Sequence, residues 1–306
     1  MSDIKLFRIQ DDKVTELQGE SVALEKSLQK LIEQHLPDFL GVSFLASEYA
    51  TGKTHGGRID TLGIDENGFP VIIEYKRSLN ENVINQGLFY LDWLLDHKAE
   101  FELLVMKRLG QEQAAGIGWE APRLLCIAGD FTRYDSHAVQ QINRNIELIR
   151  YRRYGNELLL FELVNSIAGE VDIKLTKESS AGKGPGKPSG TVSHYLEKAD
   201  TDLRSLYDAF HAFTTTLGDD IQVTTLKFYI AYRRIKNFAC VEVHPQSKNL
   251  LVYLKVDPET VELTPGFSRD VRNVGHFGTG DLELRLKNLK DLEAAKPLIV
   301  KSYEAS

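Results

Sequence analysis

The sequence contains little cysteine. Its two cysteines, Cys126 and Cys240, fall in separate strand-like segments and lack the spacing of metal ligands. This pattern argues against a disulfide framework and against a cysteine-based metal site. We expect both thiols to be reduced core residues of a cytoplasmic protein.

Long apolar runs are also missing. No run of apolar residues is long enough to cross a bilayer, and the first five residues do not have the layout of a signal peptide. The content of 42% hydrophobic and 26% charged residues is ordinary for a soluble globular protein. We therefore predict a cytoplasmic protein without a membrane partner.

The chain has no excess of positive charge. Its net charge is −7, which gives no general support for nucleic-acid binding. Residues 1–170 contain 18 Lys and Arg against 26 Asp and Glu, whereas residues 171–306 contain 19 against 18. Contact with nucleic acid therefore needs local basic patches. We expect basic clusters of the second half, such as Arg233-Arg234-Lys236 and Arg269/Arg272, to help recruit a substrate or partner.

The length of 306 residues suits one large domain or two ordinary ones. Residues 177–192 are rich in Gly, Pro, Ser and Lys, a composition that cannot bury a core. We predict a first domain over residues 1–170, a flexible linker over 171–192 and a smaller second domain over 193–306.

The most informative stretch is a predicted hairpin between residues 57 and 76. Residues 59–64 and 71–73 favour strands, and Asp-Glu-Asn-Gly between them favours a tight turn. This hairpin places Asp60 opposite Glu74, to within one residue of register. Lys76 shares a face with Glu74 because side chains two apart on a strand point the same way.

Three charged groups thus converge on an apolar hairpin. Burying them costs free energy unless they are paired or hold a cation. A divalent metal relieves the repulsion between two carboxylates, and a lysine can then act beside it. An edge hairpin with a surface salt bridge is the alternative interpretation.

Two predicted helices carry further candidates. Glu25 borders the buried stripe of a helix that runs from Ser21 to about His35, and Gln86 and Tyr90 share a polar seam on a helix from about residue 80 to 97. The alternatives are an ordinary surface glutamate for Glu25 and ordinary packing beside an exposed Gln86.

The best basic and aromatic patch of the first half contains Arg150, Arg152 and Arg153, interleaved with tyrosines. Such a patch is typical of contact with phosphates or bases. The alternative is a solvated strand face whose arginines pair with nearby acids.

The order of predicted elements in the first half is αβββαβαββ, with the last helix from Phe131 to about Asn145, which indicates an α/β sheet with helices on its faces. Residues 193–306 favour an α+β module: a long helix over 195–217, a strand meander and a closing helix over 289–303. A glycine-rich loop with His276 lies between its strands, and we favour a structural role for that histidine.

Taken together, these residues resemble a known family. Asp60 followed by Glu74-Tyr75-Lys76 resembles the D…ExK signature of the restriction-endonuclease-like PD-(D/E)xK superfamily. With Glu25, Arg58-Ile59-Asp60 and Gln86…Tyr90, the order resembles the NucS-like endonuclease domain (DUF91) over roughly residues 20–165. The second half is similar to the DUF5655 family, including its Gly-His-Phe-Gly-Thr-Gly-Asp loop, which implies no established chemistry.

The resemblance implies a restriction-endonuclease-like mixed sheet flanked by helices, with one site that binds Mg²⁺ or Mn²⁺. Asp60, Glu74 and the main-chain carbonyl of Tyr75 would hold the metal, and Lys76 would orient or help deprotonate the attacking water. Glu25 would hold the water shell of the metal or a second metal, and Gln86 would position Lys76 or the phosphate. On the nucleic-acid side, Arg58 would contact phosphate and Tyr90 would support the backbone path.

We therefore predict a metal-dependent endonuclease that hydrolyses phosphodiester bonds in nucleic acid, with DNA favoured. A non-cutting nucleic-acid-binding or protein-interaction module that retains the fold is the alternative. A homodimer remains open. The resemblance does not include the N-terminal DNA-binding domain of NucS, so we do not expect mismatch or flap specificity to carry over.

Overall fold

The computed structural model describes residues 4–20, 26–52, 56–76, 82–167 and 191–306. The chain forms two compact units, Met1–Asp172 and Ile173–Ser306. Most of the predicted linker lies outside the described residues. At its end, Thr191 caps a helix that begins at Val192, so the second unit begins inside the range predicted as linker.

Along the first unit, groups of strands alternate with groups of helices. Its strands are β1 (Leu6–Gln10), β2 (Lys13–Leu17), β3 (Gly19–Glu20), β4 (Val42–Ala50), β5 (Arg58–Asp65), β6 (Pro70–Lys76), β7 (Arg123–Ala128), β8 (Asn145–Tyr154) and β9 (Leu158–Ile167). Its helices are α1 (Lys26–Gln34), α2 (Leu36–Leu40), α3 (Val83–Asp96), α4 (Lys98–Leu109), α5 (Gln111–Ala115) and α6 (Arg133–Gln140).

One mixed sheet organises this unit. The strand order is β3-β8-β7-β6-β5-β4, and β9 pairs with β8. Strands β4, β5 and β6 are antiparallel neighbours, whereas β6, β7 and β8 are parallel. The change of direction falls at β6, which therefore lies in the middle of the sheet and is hydrogen-bonded along both edges.

Helices bury the central strands. Parallel strands need a long crossover, and α3 to α5 supply the one between β6 and β7. Leu91 and Leu94 of α3 pack in the same core cluster as Ile72 and Leu124. Fully burying each such side chain contributes roughly 1.5–3 kcal/mol, so the central hairpin is held on a rigid base.

A buried ion triad joins strands β5, β7 and β8. Arg123 at the start of β7 pairs with Glu147 of β8 at 2.8 Å and with Asp65 at the end of β5 at 3.0 Å. Burial alone lowers the pKa of Arg123, but the two carboxylates outweigh it and raise that pKa above its ordinary value. The triad fixes the three strands relative to one another.

The second unit is a six-stranded sheet with helices. Its strands are β10 (Gln222–Thr225), β11 (Ile230–Arg233), β12 (Asn237–His244), β13 (Asn249–Leu254), β14 (Ser268–Asp270) and β15 (Leu282–Leu286). Its helices are α7 (Val192–Glu197), α8 (Thr201–Thr215) and α9 (Leu289–Glu304). The neighbouring strands pair antiparallel in the order β10-β11-β12-β13-β15-β14.

The predicted fold class is confirmed: a mixed α/β sheet flanked by helices, with a smaller α+β unit after it. Two predicted helices differ in detail. The helix expected over 195–217 is broken because the Asp200 side chain accepts a hydrogen bond from the Leu203 backbone N–H and starts α8. The helix expected from Phe131 to about Asn145 ends at Gln140, before β8 begins.

The predictions for the cysteines and for membrane-spanning segments can also be compared with the fold. Cys126 and Cys240 are both buried and free of disulfide bonds, as predicted. Within the parts of the chain that the structure describes, no helix is both long and apolar enough to span a membrane.

Candidate active site

The hairpin of β5 and β6 carries the candidate site, and its turn follows the predicted chemistry. The Asp65 carboxylate accepts hydrogen bonds from the backbone N–H groups of Asn67 and Phe69, both at 2.9 Å. Gly68 has a φ of +83°, which favours glycine. The turn sets the register Thr61 to Ile73, so Asp60 and Glu74 form the next pair along the strands.

Asp60 and Glu74 are locked together by reciprocal hydrogen bonds. The Asp60 backbone N–H donates to Glu74 Oε1 at 3.1 Å, and the Tyr75 backbone N–H donates to Asp60 Oδ2 at 3.0 Å. Each carboxylate is thus oriented by the backbone beside its partner. The predicted convergence of the two acids is confirmed.

This pair is electrostatically strained. Glu74 is 1% exposed, and its burial, followed by the negative charge of Asp60, raises its pKa to about 9. The hydrogen bond from the Asp60 N–H opposes this shift without cancelling it, and Glu48 adds a smaller raising effect. At neutral pH the pair therefore shares a proton unless a cation compensates the negative charge.

The Tyr75 side chain lies on the other face of β6. Its hydroxyl lies 3.5 Å from Thr61 Oγ1 in the core. Burial raises the pKa of this hydroxyl above its ordinary value. Ligation by the Tyr75 main-chain carbonyl stays a prediction.

Lys76 lies at the end of β6 with its side chain only 3% exposed. Its ammonium contacts Asp135 of α6, with Nζ 3.5 Å from Oδ2, and lies 5.9 Å from the centre of the Phe131 ring. Asp135 did not emerge from the sequence patterns. The one local sign of it is Thr132-x-x-Asp135, a capping-box spacing at the start of α6.

Gln86, Tyr90 and Arg58 form a chain of contacts beside the hairpin. The Gln86 side-chain amide donates to the Tyr90 hydroxyl at 3.4 Å, and that hydroxyl accepts from the Arg58 backbone N–H at 3.1 Å. Tyr90 is only 6% exposed, which corrects its assignment to a nucleic-acid contact. Its hydroxyl instead supports the start of β5 by accepting the hydrogen bond from Arg58. The Gln86 contact is with Tyr90, and a role toward Lys76 or phosphate stays a prediction.

The start of β5 packs closely against Tyr90. A Cβ at Gly57 would lie 2.5 Å from the Tyr90 ring, so glycine is needed for this close approach. The Arg58 side chain is largely exposed and pairs with Glu48 of the neighbouring strand at 3.4 Å. Contact between Arg58 and phosphate stays a prediction that its exposure permits.

Helix α1 contacts strand β5 beside the site through polar residues that the sequence patterns did not indicate. The Gln29 amide lies 3.4 Å from the Asp60 backbone oxygen and 3.1 Å from Glu33 Oε1. Glu33 also accepts from the Thr61 hydroxyl at 2.6 Å. Glu25 lies outside the described residues. Gln29 and Glu33 are four residues apart, which places them on one side of α1.

The predicted basic patch on β8 is not one surface. Arg150 is buried and pairs with Glu162 at 2.7 Å and with Asp130 at 3.2 Å, which corrects its assignment to nucleic acid. Strand alternation turns Arg152 and Arg153 to opposite faces. Both are partly exposed, and their contact with nucleic acid stays a prediction.

The basic clusters of the second unit are likewise occupied by internal partners. Arg234 pairs with Asp220 at 2.8 Å, Arg269 pairs with Glu283, and Arg272 pairs with Asp270 and Glu259. Arg233 is buried against Gln222. The structure therefore gives no support to the expectation that these clusters recruit a polyanion. His276 has the expected structural setting, because its ring stacks on Tyr253 at 4.3 Å.

The donor set suits a hard divalent cation. Asp60 and Glu74 supply carboxylate oxygens at adjacent positions, and one backbone hydrogen bond to each does not exhaust the lone pairs of a carboxylate. Among the described residues, no group of three or more His, Cys, Asp and Glu side chains is arranged to hold a metal. The predicted metal ligands are two such side chains, Asp60 and Glu74, and the main-chain carbonyl of Tyr75; Glu25 lies outside the described residues.

Comparisons with known proteins first identify the second unit. Residues 192–306 match a family model described as a domain of unknown function, DUF5655, which confirms the predicted resemblance. The match to DUF91 stays a prediction. A Haemophilus influenzae protein described as uncharacterized is 28% identical over 302 residues, covering 97% of this chain and 98% of that protein.

Two solved structures show partial similarity. A repair endonuclease from Pyrococcus abyssi is 16% identical over 43% of this chain, with a TM-score of 0.28. An EndoMS–dsDNA2 complex is 18% identical over 47% of this chain, with a TM-score of 0.26. The chain spans about half of each of those proteins, 49% in both cases.

Proposed function

We propose that the first unit is a divalent-metal-dependent endonuclease that hydrolyses phosphodiester bonds in nucleic acid, DNA in particular. The observation that carries the proposal is the reciprocally hydrogen-bonded pair of Asp60 and Glu74 on the central hairpin, in which Glu74 is buried and Asp60 is partly exposed. Two adjacent carboxylates, one of them buried, cost free energy unless a cation compensates their charge, and perturbed acids of this kind concentrate at functional sites.

Asp60, Glu74 and the Tyr75 carbonyl are the groups that would hold Mg²⁺ or Mn²⁺, because these cations prefer oxygen ligands. When bound, such a cation supplies Lewis-acid polarisation of the phosphoryl group and lowers the pKa of a bound water. The backbone bonds to Asp60 Oδ2 and Glu74 Oε1 hold the two acids in place before any ligand arrives. This preorganisation reduces the reorganisation needed during the reaction.

Lys76 supplies the positive side chain of the site. From the end of β6, on the same face as Glu74, its ammonium orients the attacking water and stabilises the negative charge that develops on the phosphoryl oxygens. Arg58 lies at the exposed start of β5, where it can exchange Glu48 for a phosphate of the substrate. Glu25 and Gln86 complete the proposed catalytic set, as the family resemblance implies.

The acidic character of residues 1–170 sets a condition on binding. With 18 basic against 26 acidic residues in that stretch, nucleic acid is repelled unless cations compensate. We therefore expect both substrate binding and cleavage by this unit to depend on divalent metal. A non-cutting nucleic-acid-binding module is distinguished from the enzyme by the absence of cleavage under conditions in which binding occurs.

The proposal is tested with a panel of end-labelled single-stranded, duplex and branched DNA and RNA, incubated with Mg²⁺, Mn²⁺ or EDTA. The expected result is cleavage of at least one member with metal and none with EDTA. Asp60→Asn should not cleave, whereas Glu120→Gln, which changes an exposed acid, should cleave like the wild type. Gel retardation without cleavage by the wild type would favour the binding module and refute the enzyme.

A further inference from the structure

Asp135 stands beside the candidate site without any assigned role. It belongs to α6, which follows β7, and lies 59 residues after Lys76 in the sequence. Its carboxylate nevertheless contacts the Lys76 ammonium, with Oδ2 3.5 Å from Nζ. Among the described residues, Asp135 is the acid that the structure pairs with this lysine.

The setting of Lys76 requires such a partner. With a side chain 3% exposed, the ammonium has left most of its water, and a buried charge without a counter-charge is strongly unfavourable. The ring of Phe131 at 5.9 Å adds a weaker attraction and closes one side of the ammonium. The position of Lys76 Nζ therefore depends on where the carboxylate of Asp135 is held.

That carboxylate is itself fixed. Oδ2 of Asp135 accepts from the Thr132 backbone N–H at 2.7 Å and from the Thr132 hydroxyl at 2.9 Å. The Thr132 hydroxyl in turn accepts from the Asp135 backbone N–H at 3.2 Å, which completes a capping box at the start of α6. One oxygen thus caps a helix and anchors the lysine.

We propose that Asp135 is a positioning residue of the active site, which holds the Lys76 ammonium in place for the reaction through the capping box of α6. The inference rests on the proposed function. Asp135 touches Lys76 and not the reacting atoms, so its loss should lower kcat and leave KM nearly unchanged. A shift of about 1 Å in a catalytic group can lower a rate about a hundredfold, so we expect a fall of at least about tenfold.

Two substitutions separate the charge from the cap. Asp135→Glu keeps a carboxylate, and glutamate is a common partner at this position of a capping box, so we expect kcat within about threefold of the wild type. Asp135→Asn keeps an oxygen that can accept from the Thr132 N–H but removes the charge. We expect it to lower kcat at least about tenfold with KM within about twofold.

A matched control measures the cost of the cap alone. Asp291 occupies the equivalent position of α9 in the second unit, where its carboxylate accepts from the Lys287 backbone N–H at 2.8 Å. Asp291→Asn removes the same charge from the start of a helix in the second unit, to which none of the proposed catalytic residues belongs. It should leave kcat unchanged and cost little thermal stability, whereas Asp135→Asn should lower the thermal stability further because it also removes the counter-charge of the buried Lys76 ammonium.

The experiment is single-turnover and steady-state cleavage of the best substrate of the panel, with the double variant Lys76→Ala/Asp135→Asn included. If Asp135 acts through Lys76, the double variant should cleave within about twofold of Lys76→Ala alone, because residues that act as a unit are not additive. A further large fall in the double variant, an unchanged or raised kcat in Asp135→Asn, or a loss in Asp135→Glu equal to that in Asp135→Asn would overturn the inference. Absence of cleavage by the wild type would refute the proposed function, and this inference with it.

Discussion

Replacing Glu74 by glutamine should make the first unit respond differently to pH. Burial and the charge of Asp60 raise the pKa of Glu74 to about 9, against 4.5 for an ordinary glutamate. Between these values the unfolded chain carries an ionised glutamate and the folded chain a protonated one. Folding then takes up a proton, so the free energy of unfolding falls as pH rises through this window.

The magnitude follows from linkage. One proton of difference between the two states changes the free energy of unfolding by about 1.4 kcal/mol per pH unit, or about 3 kcal/mol between pH 6 and pH 8. Glutamine resembles the protonated acid: its side-chain oxygen can accept from the Asp60 N–H, and it carries no charge at any pH. Glu74→Gln should therefore gain stability relative to the wild type as pH rises.

The assay is urea unfolding in EDTA at several pH values, followed by tryptophan fluorescence. The two tryptophans of the chain, Trp93 and Trp119, both lie in the first unit, so the signal reports that unit alone. The exposed-acid variant Glu120→Gln serves as the control and should follow the wild type. Equal pH dependence in Glu74→Gln and the wild type would show that Glu74 is ionised in the folded metal-free protein, and would refute the strain argument.

Three further predictions concern the surroundings of the site. Asp60→Asn should abolish the binding of Mn²⁺ measured by calorimetry while circular dichroism shows a folded protein; unchanged affinity would move the metal elsewhere. Gly57→Ala should lower the free energy of unfolding by about 1–3 kcal/mol, because its Cβ would lie 2.5 Å from the Tyr90 ring, whereas Gly116→Ala, with its nearest contact at 3.6 Å, should be tolerated; equal effects in the denaturation curves would argue against the close approach. Arg123→Ala should cost about 3–5 kcal/mol in the same measurement, because Asp65 and Glu147 remain buried without their cation; a loss below about 1 kcal/mol would contradict the role of the triad.

Local patterns were sufficient for the central hairpin. Turn chemistry at residues 65–68 fixes the register, and the period of a strand then places Asp60 beside Glu74 without any knowledge of the rest of the chain. Gln86 and Tyr90 were found for the same reason, since helical spacing places residues four apart on one side.

Contacts that depend on distant pairing could not be predicted in this way. Asp135 reaches Lys76 only because β6 and β7 are parallel neighbours and α6 starts beyond the end of β7. Arg150 was misassigned because its opposite neighbour on β9, Glu162, can be recognised only once the register of β8 and β9 is known. Counting basic residues does not show which of them already have partners.

In the proposed function, Asp60 and Glu74 form a metal-dependent hydrolytic site. The most direct measurement is single-turnover cleavage of a labelled substrate by the full chain in Mn²⁺, with EDTA added during the reaction and excess Mn²⁺ restored afterwards. We expect that wild-type cleavage stops with EDTA and resumes with Mn²⁺, and that Asp60→Asn does not cleave in either condition. Cleavage that continues in EDTA, or cleavage by Asp60→Asn at the wild-type rate, would contradict it.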